Sequence, residues 1–427
     1  MNHDILITNG TVVTMDDDFT VYENGGVGMT GSRISGVGDL SEDAATQVID
    51  ARGGLIIPGL INTHCHAAMT LFRGLADDRP LDAFLQTVWA AEAAHITPDT
   101  ARVGAALGAA EMALGGITHF VDMYWYWEST LVAADDIGIG VTAGPVFIAF
   151  DGIDGQPWDA RVAATADAIA RHPDRHLMLM PHSCYTMDTG KLRTVADLAA
   201  EYGLPIHIHA AEAPSEMAQV QEIYGKRPIA VMQETGILDH PTLIAHAVHL
   251  DDAEIAALAG SNARVAHNPL SNAKLASGTM RLAEMQGAGI PIGIGTDGAA
   301  SSNDLDLWQA MRQASFANIA RTGQADSLPA RAIFAMATRG GATCLGLDAL
   351  KGSLAVGKDA DVVVIDTAAP HLTPSYDPYG TLVYAAGRSD VAEVFAMGRQ
   401  VVADKRLITD ISDTISAART IARRIAG

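Results

Sequence analysis

The chain has 427 residues, and 28 Lys plus Arg against 50 Asp plus Glu leave a formal net charge of −22. So acidic a protein repels phosphate backbones and anionic membrane surfaces, which argues against nucleic acid and lipid headgroups as partners. Hydrophobic residues make up 48% and charged residues 18%, which suits a large buried core and excludes extended disorder; the length allows about two or three domains, or one barrel of roughly 250 residues with a smaller companion.

From Asp4 to Ile57 short β-rich runs are punctuated by glycine: Ile5–Ile7, Thr11–Thr14, Gly31–Gly36 and Val48–Asp50. This spacing predicts a small antiparallel sheet. From Gly59 the pattern changes to short apolar strands alternating with helical stretches. Candidate strands are Gly59–His64, Thr118–Asp122, His176–Met180, Pro205–His209, Leu243–Ala247, Arg264–His267 and Pro291–Gly295. Thr97-Pro98 supplies a cap and a first-turn proline for one helix, and Gly115-Gly116 ends it. Repeated βα units predict an α/β fold, a (β/α)8 TIM-type barrel over residues 58–350. β-rich character returns at Asp361–Ile365 and Val391–Val402. Residues 1–57 and 351–427, the latter with a terminal helix, are therefore expected to share one small β-sandwich-like domain.

Cys65, Cys184 and Cys344 are far apart and odd in number, which predicts free thiols and a reducing compartment. The opening Met-Asn-His-Asp has no basic start or apolar run of a signal peptide, and no 18-residue apolar stretch can span a bilayer. The expected location is the cytoplasm.

Histidines and acids fall at the C-terminal ends of the candidate strands, where parallel barrels build their sites. In His64-Cys65-His66, alternation turns both imidazoles to the barrel interior and Cys65 outward. His209 ends Ile206-His207-Ile208-His209, with Glu212 three residues on, and Asp297 follows the last strand in Gly295-Thr296-Asp297. Three imidazoles and a carboxylate suit Zn²⁺ or Fe²⁺ with a position left for water. His246, at the end of Leu243-Ile244-Ala245-His246, is placed to hydrogen-bond that water. Each residue alone is as well explained as a satisfied core histidine or a capping acid. Five such coincidences at successive strand ends are not.

Two Gly-x-Gly-x-x-Gly matches, Gly26–Gly31 and Gly293–Gly298, carry no dinucleotide expectation. The first lies among antiparallel strands, and the second puts Asp297 where a pyrophosphate would sit. Gly352–Lys358 has phosphate-loop spacing but is followed by Asp359, and is expected to be a turn. No two cysteines lie close together, which excludes the zinc deaminase fold with a Pro-Cys-x-x-Cys signature. Tyr124-Trp125-Tyr126-Trp127 is an aromatic cluster able to stack on a flat ring or to pack a loop.

Pro58–His66, His207-Ile208-His209 with Glu212, His246–Leu250, His267–Leu275 and Gly295–Ser301 together resemble the amidohydrolase superfamily. Within it they resemble the aminohydrolase and chlorohydrolase branch that contains 5′-methylthioadenosine/S-adenosylhomocysteine deaminases, and the likeness extends to Gly352–Asp361. The resemblance implies that His64, His66, His209 and Asp297 hold one divalent ion. Binuclear members carry a lysine or carboxylate on the fourth strand, and His176–Pro181 has neither. It further implies catalytic roles for Asp297 and His246, which take the water proton and orient the nucleophile, and for Glu212, which protonates a ring nitrogen and then the departing amine. Glu92, His182 and Arg161 match substrate-contact positions, whereas Val141–Pro145 lacks an arginine that some relatives have. The implied activity is hydrolytic deamination of a small aminated heterocycle, foremost an adenosine derivative (5′-methylthioadenosine, S-adenosylhomocysteine or adenosine). A triazine, pterin or purine aminohydrolase, a chlorohydrolase and a catalytically silent scaffold are the alternatives, and homo-oligomers are common among such relatives.

Overall fold

The computed structural model describes residues 2–426; Met1 and Gly427, the outer ends of the expected terminal segments, lie outside the described residues. The N-terminal run builds β1 (Asn2–Val13), followed by β2 (Val21–Thr30), β3 (Arg33–Gly38), β4 (Ala44–Asp50) and β5 (Leu55–Pro58). β1 pairs antiparallel with β2, and β2 with β3, as expected. The expectation fails for the remainder: β4 and β5 both run parallel to β1. Connections that cross back over the sheet, rather than tight hairpins, deliver them.

The chain then enters a ring of strands: β6 (Leu60–Cys65), β7 (Ile117–Asp122), β8 (Gly140–Thr142), β9 (Val146–Phe147), β10 (Met180–Pro181), β11 (Ile206–Ala210), β12 (Thr242–His246), β13 (Ala263–His267) and β14 (Ile292–Ile294). β8 and β9 are two pieces of one barrel strand, broken at Gly144-Pro145, so the barrel has eight staves. Ladders β6-β7-β8, β9-β10 and β11-β12-β13-β14 are parallel, and single bridges Ala143–Leu177 and Leu179–Ile206 join them. The ring closes where the Asp297 backbone N–H donates to the His64 carbonyl at 3.0 Å. No strand was expected at residues 140–147, because a Gly-Pro pair reads as a break. Gly144 is required there, since a Cβ on it would lie 2.0 Å from the Met178 carbonyl oxygen of the next stave.

Helices cover the barrel, beginning with α1 (Leu81–His95) and α2 (Pro98–Leu114). Thr97 caps α2 reciprocally with Thr100, and Gly115 ends it, as the sequence predicts. Along β11, Ile206, Ile208 and Ala210 join the apolar layer beneath the helices, while His207 and His209 between them face inward. The described residues include no helix long and apolar enough to cross a membrane.

Beyond the barrel, β15 (Val362–Ile365) pairs with β5, and β16 (Val391–Ala396), β17 (Arg399–Ala403) and β18 (Arg406–Leu407) extend the same sheet. The two ends of the chain thus share one nine-stranded sheet. It folds over a core that gathers Ile7, Val27 and Ile34 with Val362, Val364 and Phe395. The C-terminal helix Ser412–Ile425 leaves the sheet and packs on α2.

Lys351 pins the turn that precedes β15. Its ammonium reaches Asp359 at 2.8 Å and Asp361 at 2.7 Å, all three side chains being buried. Arg33 joins from β3 at 2.6 Å from Asp359. Gly352–Lys358 is therefore a turn held by an ion network, with its Asp359 turned to cations rather than to a phosphate. Lys351→Met would leave the buried Asp361 without a cation and Asp359 with Arg33 alone, and a loss of about 3–5 kcal/mol is expected by denaturant titration; a variant as stable as the parent would show that the network contributes nothing.

Candidate metal centre and substrate cavity

Four strand ends converge on one point. The Asp297 carboxylate oxygen Oδ1 lies 3.4 Å from His64 Nε2 and 3.2 Å from His66 Nε2, and His66 Nε2 lies 3.4 Å from His209 Nε2. Ligands about 2.0–2.1 Å from a tetrahedral Zn²⁺ stand about 3.3–3.4 Å apart, so these separations match one shared ion. Ligand atoms of His64, His66 and His209, and of His64, His246 and Asp297, fall within 4.8 Å of one another.

The outer hydrogen bonds decide which ring nitrogen points inward. His66 Nδ1 donates to the Met123 carbonyl at 2.6 Å, and His209 Nδ1 to the His182 carbonyl at 2.9 Å. His207 Nδ1 donates to the Leu243 carbonyl, which leaves its Nε2 to accept from His64 Nδ1 at 2.8 Å. All three imidazoles therefore have Nδ1 tied outward and turn Nε2, the atom a cation would bind, to the centre. His64 Nε2 is fully buried without a hydrogen-bond partner. Asp297 Oδ2 accepts from the Ser271 and Ser301 hydroxyls at 2.6 and 2.8 Å, which fixes Oδ1 toward the histidines.

The charge balance points the same way. Burial drives His64 and His209 well below the usual imidazole range. Asp297 is held well below the usual carboxylate range by the histidines, against the penalty of burial. Although burial opposes it, the Asp297 carboxylate pulls His66 up to about 9. A buried carboxylate that must recruit a proton onto a neighbouring imidazole is a site short of one cation, and the donor set fits a divalent metal.

Glu212 and His246 stand beside this cluster, His246 Nε2 lying 3.8 Å from Glu212 Oε2. His246 Nδ1 bonds Asn272 Oδ1 at 2.8 Å. Burial raises the Glu212 carboxyl, favouring its protonated form. The backbone is bent to bring these groups inward: Ala211, His246, Ala247 and Asp297 all have positive φ, at 55°, 76°, 48° and 59°. Such conformations cost about 1–3 kcal/mol each in non-glycine residues and persist only where neighbours impose them. Glu216 imposes one, accepting from the Ala211 N–H at 3.0 Å and the Glu212 N–H at 2.6 Å. Its part was not read from the sequence, although Glu212 and Glu216 lie one helical turn apart at the start of the helix Pro214–Tyr224.

A cavity of about 280 Å³, close to the size of small-molecule sites, opens above the cluster. His66, His209, Glu212, His246 and Asp297 form its floor, and Glu92 and His182 line its wall. The buried Glu92 Oε1 has no hydrogen-bond partner, and burial pushes its carboxyl up to about 7. Burial lowers His182 to about 3, which leaves it neutral. Of the aromatic cluster, Tyr124 and Trp125 line the cavity and Tyr126 and Trp127 do not. Trp89 also lines it, unforeseen because a tryptophan in an apolar helix looks like core.

Arg161 is the correction. It lines a neighbouring cavity, not this one. Its guanidinium forms a two-point pair with Asp154 through both terminal nitrogens, at 2.8 and 2.7 Å.

Comparison with known proteins agrees with this geometry. A 5-methylthioadenosine/S-adenosylhomocysteine deaminase of Syntrophobacter fumaroxidans is 38% identical over 431 residues, covering 99% of this chain and 98% of its own. A 5′-deoxyadenosine deaminase of Methanothermobacter thermautotrophicus is 39% identical over 411 residues, covering 95% of each. The crystal structure of an adenosine deaminase from Xanthomonas campestris with bound zinc superposes with a TM-score of 0.97 at 32% identity, covering 100% of this chain and 99% of that one. Residues 55–401 match the family model described as Amidohydrolase family. With the whole barrel and the linking strands of the small sheet inside that match, the chain belongs to the amidohydrolase family.

Proposed function

We propose that the protein is a metal-dependent hydrolytic deaminase of an adenosine derivative, converting the aminated ring carbon to a carbonyl and releasing ammonia. The observation that carries this reading is the convergence of His64, His66, His209 and Asp297 on one buried point, with Glu212 and His246 at its side. The deaminase relatives supply the substrate class, and the buried free thiols of Cys65, Cys184 and Cys344 suit a reducing cytoplasm. His64, His66, His209 and Asp297 would hold a single Zn²⁺, since Met178 and Met180 occupy the fourth stave where a second ion would need a charged ligand. When bound, the ion supplies Lewis acidity that brings the pKa of water toward about 7.

The chain's own residues do the rest. Asp297, steadied by Ser271 and Ser301, accepts the proton of the attacking water, and His246, beside Glu212, orients that water. Glu212, whose burial favours the protonated form, donates to the ring nitrogen beside the aminated carbon, which makes that carbon electrophilic. After attack, Asp297 passes the proton taken from water to the amine, which departs as ammonia, and the new hydroxyl gives its proton back to Glu212 as the carbonyl forms. His182, neutral and fixed near Ser183 and Thr186, offers a hydrogen bond to the base. Glu92 receives the ribose hydroxyls through its carboxylate, whose Oε1 is buried without a partner. Chloride leaves without a proton whereas an amine needs one, so the acid/base set of Glu212, His246 and Asp297 taken together suits deamination.

Glu212→Gln keeps its size and the metal ligands but transfers no proton. Turnover should fall about 10²–10⁴-fold with zinc content unchanged, measured by ammonia release and elemental analysis; wild-type turnover would remove Glu212 from the mechanism. His64→Ala should lose zinc and activity together. An active His64→Ala enzyme with full zinc would take that residue out of the ligand set.

A further inference from the structure

What the nucleoside carries on its 5′ side can be read from the outer half of the cavity. Helix α1 sets Glu92, Trp89 and Leu85 about one turn apart on one face, so the path from the metal centre runs outward past Glu92 and then Trp89. At the mouth Phe150 is 52% exposed, its ring centre 6.4 Å from that of Trp89. Ile153 continues the apolar wall. Among the described residues no lysine or arginine lines this cavity; its carboxylates are Glu92, Asp151, Glu212 and Asp297.

Arg161 lies behind the wall, and both of its terminal nitrogens are engaged. Besides its pair with Asp154, Nη1 donates to the Val146 carbonyl and Nη2 to the Gln156 carbonyl, both at 3.3 Å. The guanidinium carbon lies 5.5 Å from the Trp125 ring centre. Only a thin partition separates it from the cavity: a Cβ on Gly152 would lie 2.4 Å from the Trp125 ring and 3.0 Å from Arg161 Nη2.

We infer that the cavity selects adenosine derivatives whose 5′ arm is uncharged and apolar, and that Asp154 sets this specificity by neutralising Arg161. The inference rests on the adenosine reading above. A methylthio or deoxy arm meets Trp89 and Phe150, and a thioether sulfur is favourable against aromatic rings. An amino-acid arm can turn its ammonium to Asp151, but its carboxylate then meets no lysine or arginine on the cavity wall. A charge that loses its water and gains no partner counts against the ligand that carries it.

Steady-state ammonia release by the zinc-loaded full chain tests this, with 5′-methylthioadenosine, 5′-deoxyadenosine and S-adenosylhomocysteine as substrates. The first two should exceed the third in kcat/KM by more than about tenfold, and Asp154→Asn should narrow the gap by at least about threefold, through S-adenosylhomocysteine. A wild-type ratio under tenfold overturns the selectivity. A folded Asp154→Asn enzyme with an unmoved ratio overturns the part given to Asp154; should that variant not fold, the wild-type ratio decides alone. Ammonia from none of the three substrates would instead overturn the adenosine reading itself.

Discussion

A carboxylate buried among imidazoles, with no cation of its own, is the constraint on which the site depends. Asp297 cannot lie at the bottom of the cavity as an isolated charge, because desolvation of an unpaired ion costs several kcal/mol. Two serine hydroxyls quench one oxygen, and the other faces His64 and His66. In the absence of metal a proton on His66 serves as the counter-charge; a divalent ion serves better, because it satisfies the three Nε2 lone pairs at once. The outer ring of Met123, His182 and His207 exists to keep those lone pairs pointing inward.

The barrel makes this convergence affordable in conformational terms. Parallel strands deliver side chains from distant parts of the chain to one rim, and the strand order alone brings residues 64 and 297 together at the closing seam. The price in backbone strain falls at the strand ends, where Ala211, His246, Ala247 and Asp297 all turn left-handed. The strained turns brace one another, since the Ala211 carbonyl accepts from the N–H groups of both Val248 and His249 at 2.9 Å. Loops of ordinary geometry would aim Glu212 and His246 away from the metal ligands.

The inward-facing histidines were legible from the sequence because period-two alternation is a strong constraint: His64 with His66, and His209 beneath its apolar neighbours, fall where the pleat puts them. Asp297 and Glu212 were legible from their distance beyond a strand end. The third stave was not, because Gly144-Pro145 interrupts it and the closeness of Met178 that demands glycine appears only in three dimensions. Nor was the parallel pairing of β4 and β5, since strand direction is set by connections and not by composition. Arg161 shows the limit of position matching. Its number along the chain says nothing of Asp154 seven residues away, which pairs with both of its terminal nitrogens. Glu216 and Trp89 act through hydrogen bonds and exposure that no periodicity encodes.

An anomalous difference map recorded on either side of the zinc absorption edge, from crystals of the purified protein, bears most directly on the centre. One peak is expected, about 2.0–2.2 Å from His64 Nε2, His66 Nε2, His209 Nε2 and Asp297 Oδ1. A map without that peak in zinc-supplemented crystals, or with zinc held by other side chains, would contradict the metal centre and with it the hydrolytic chemistry.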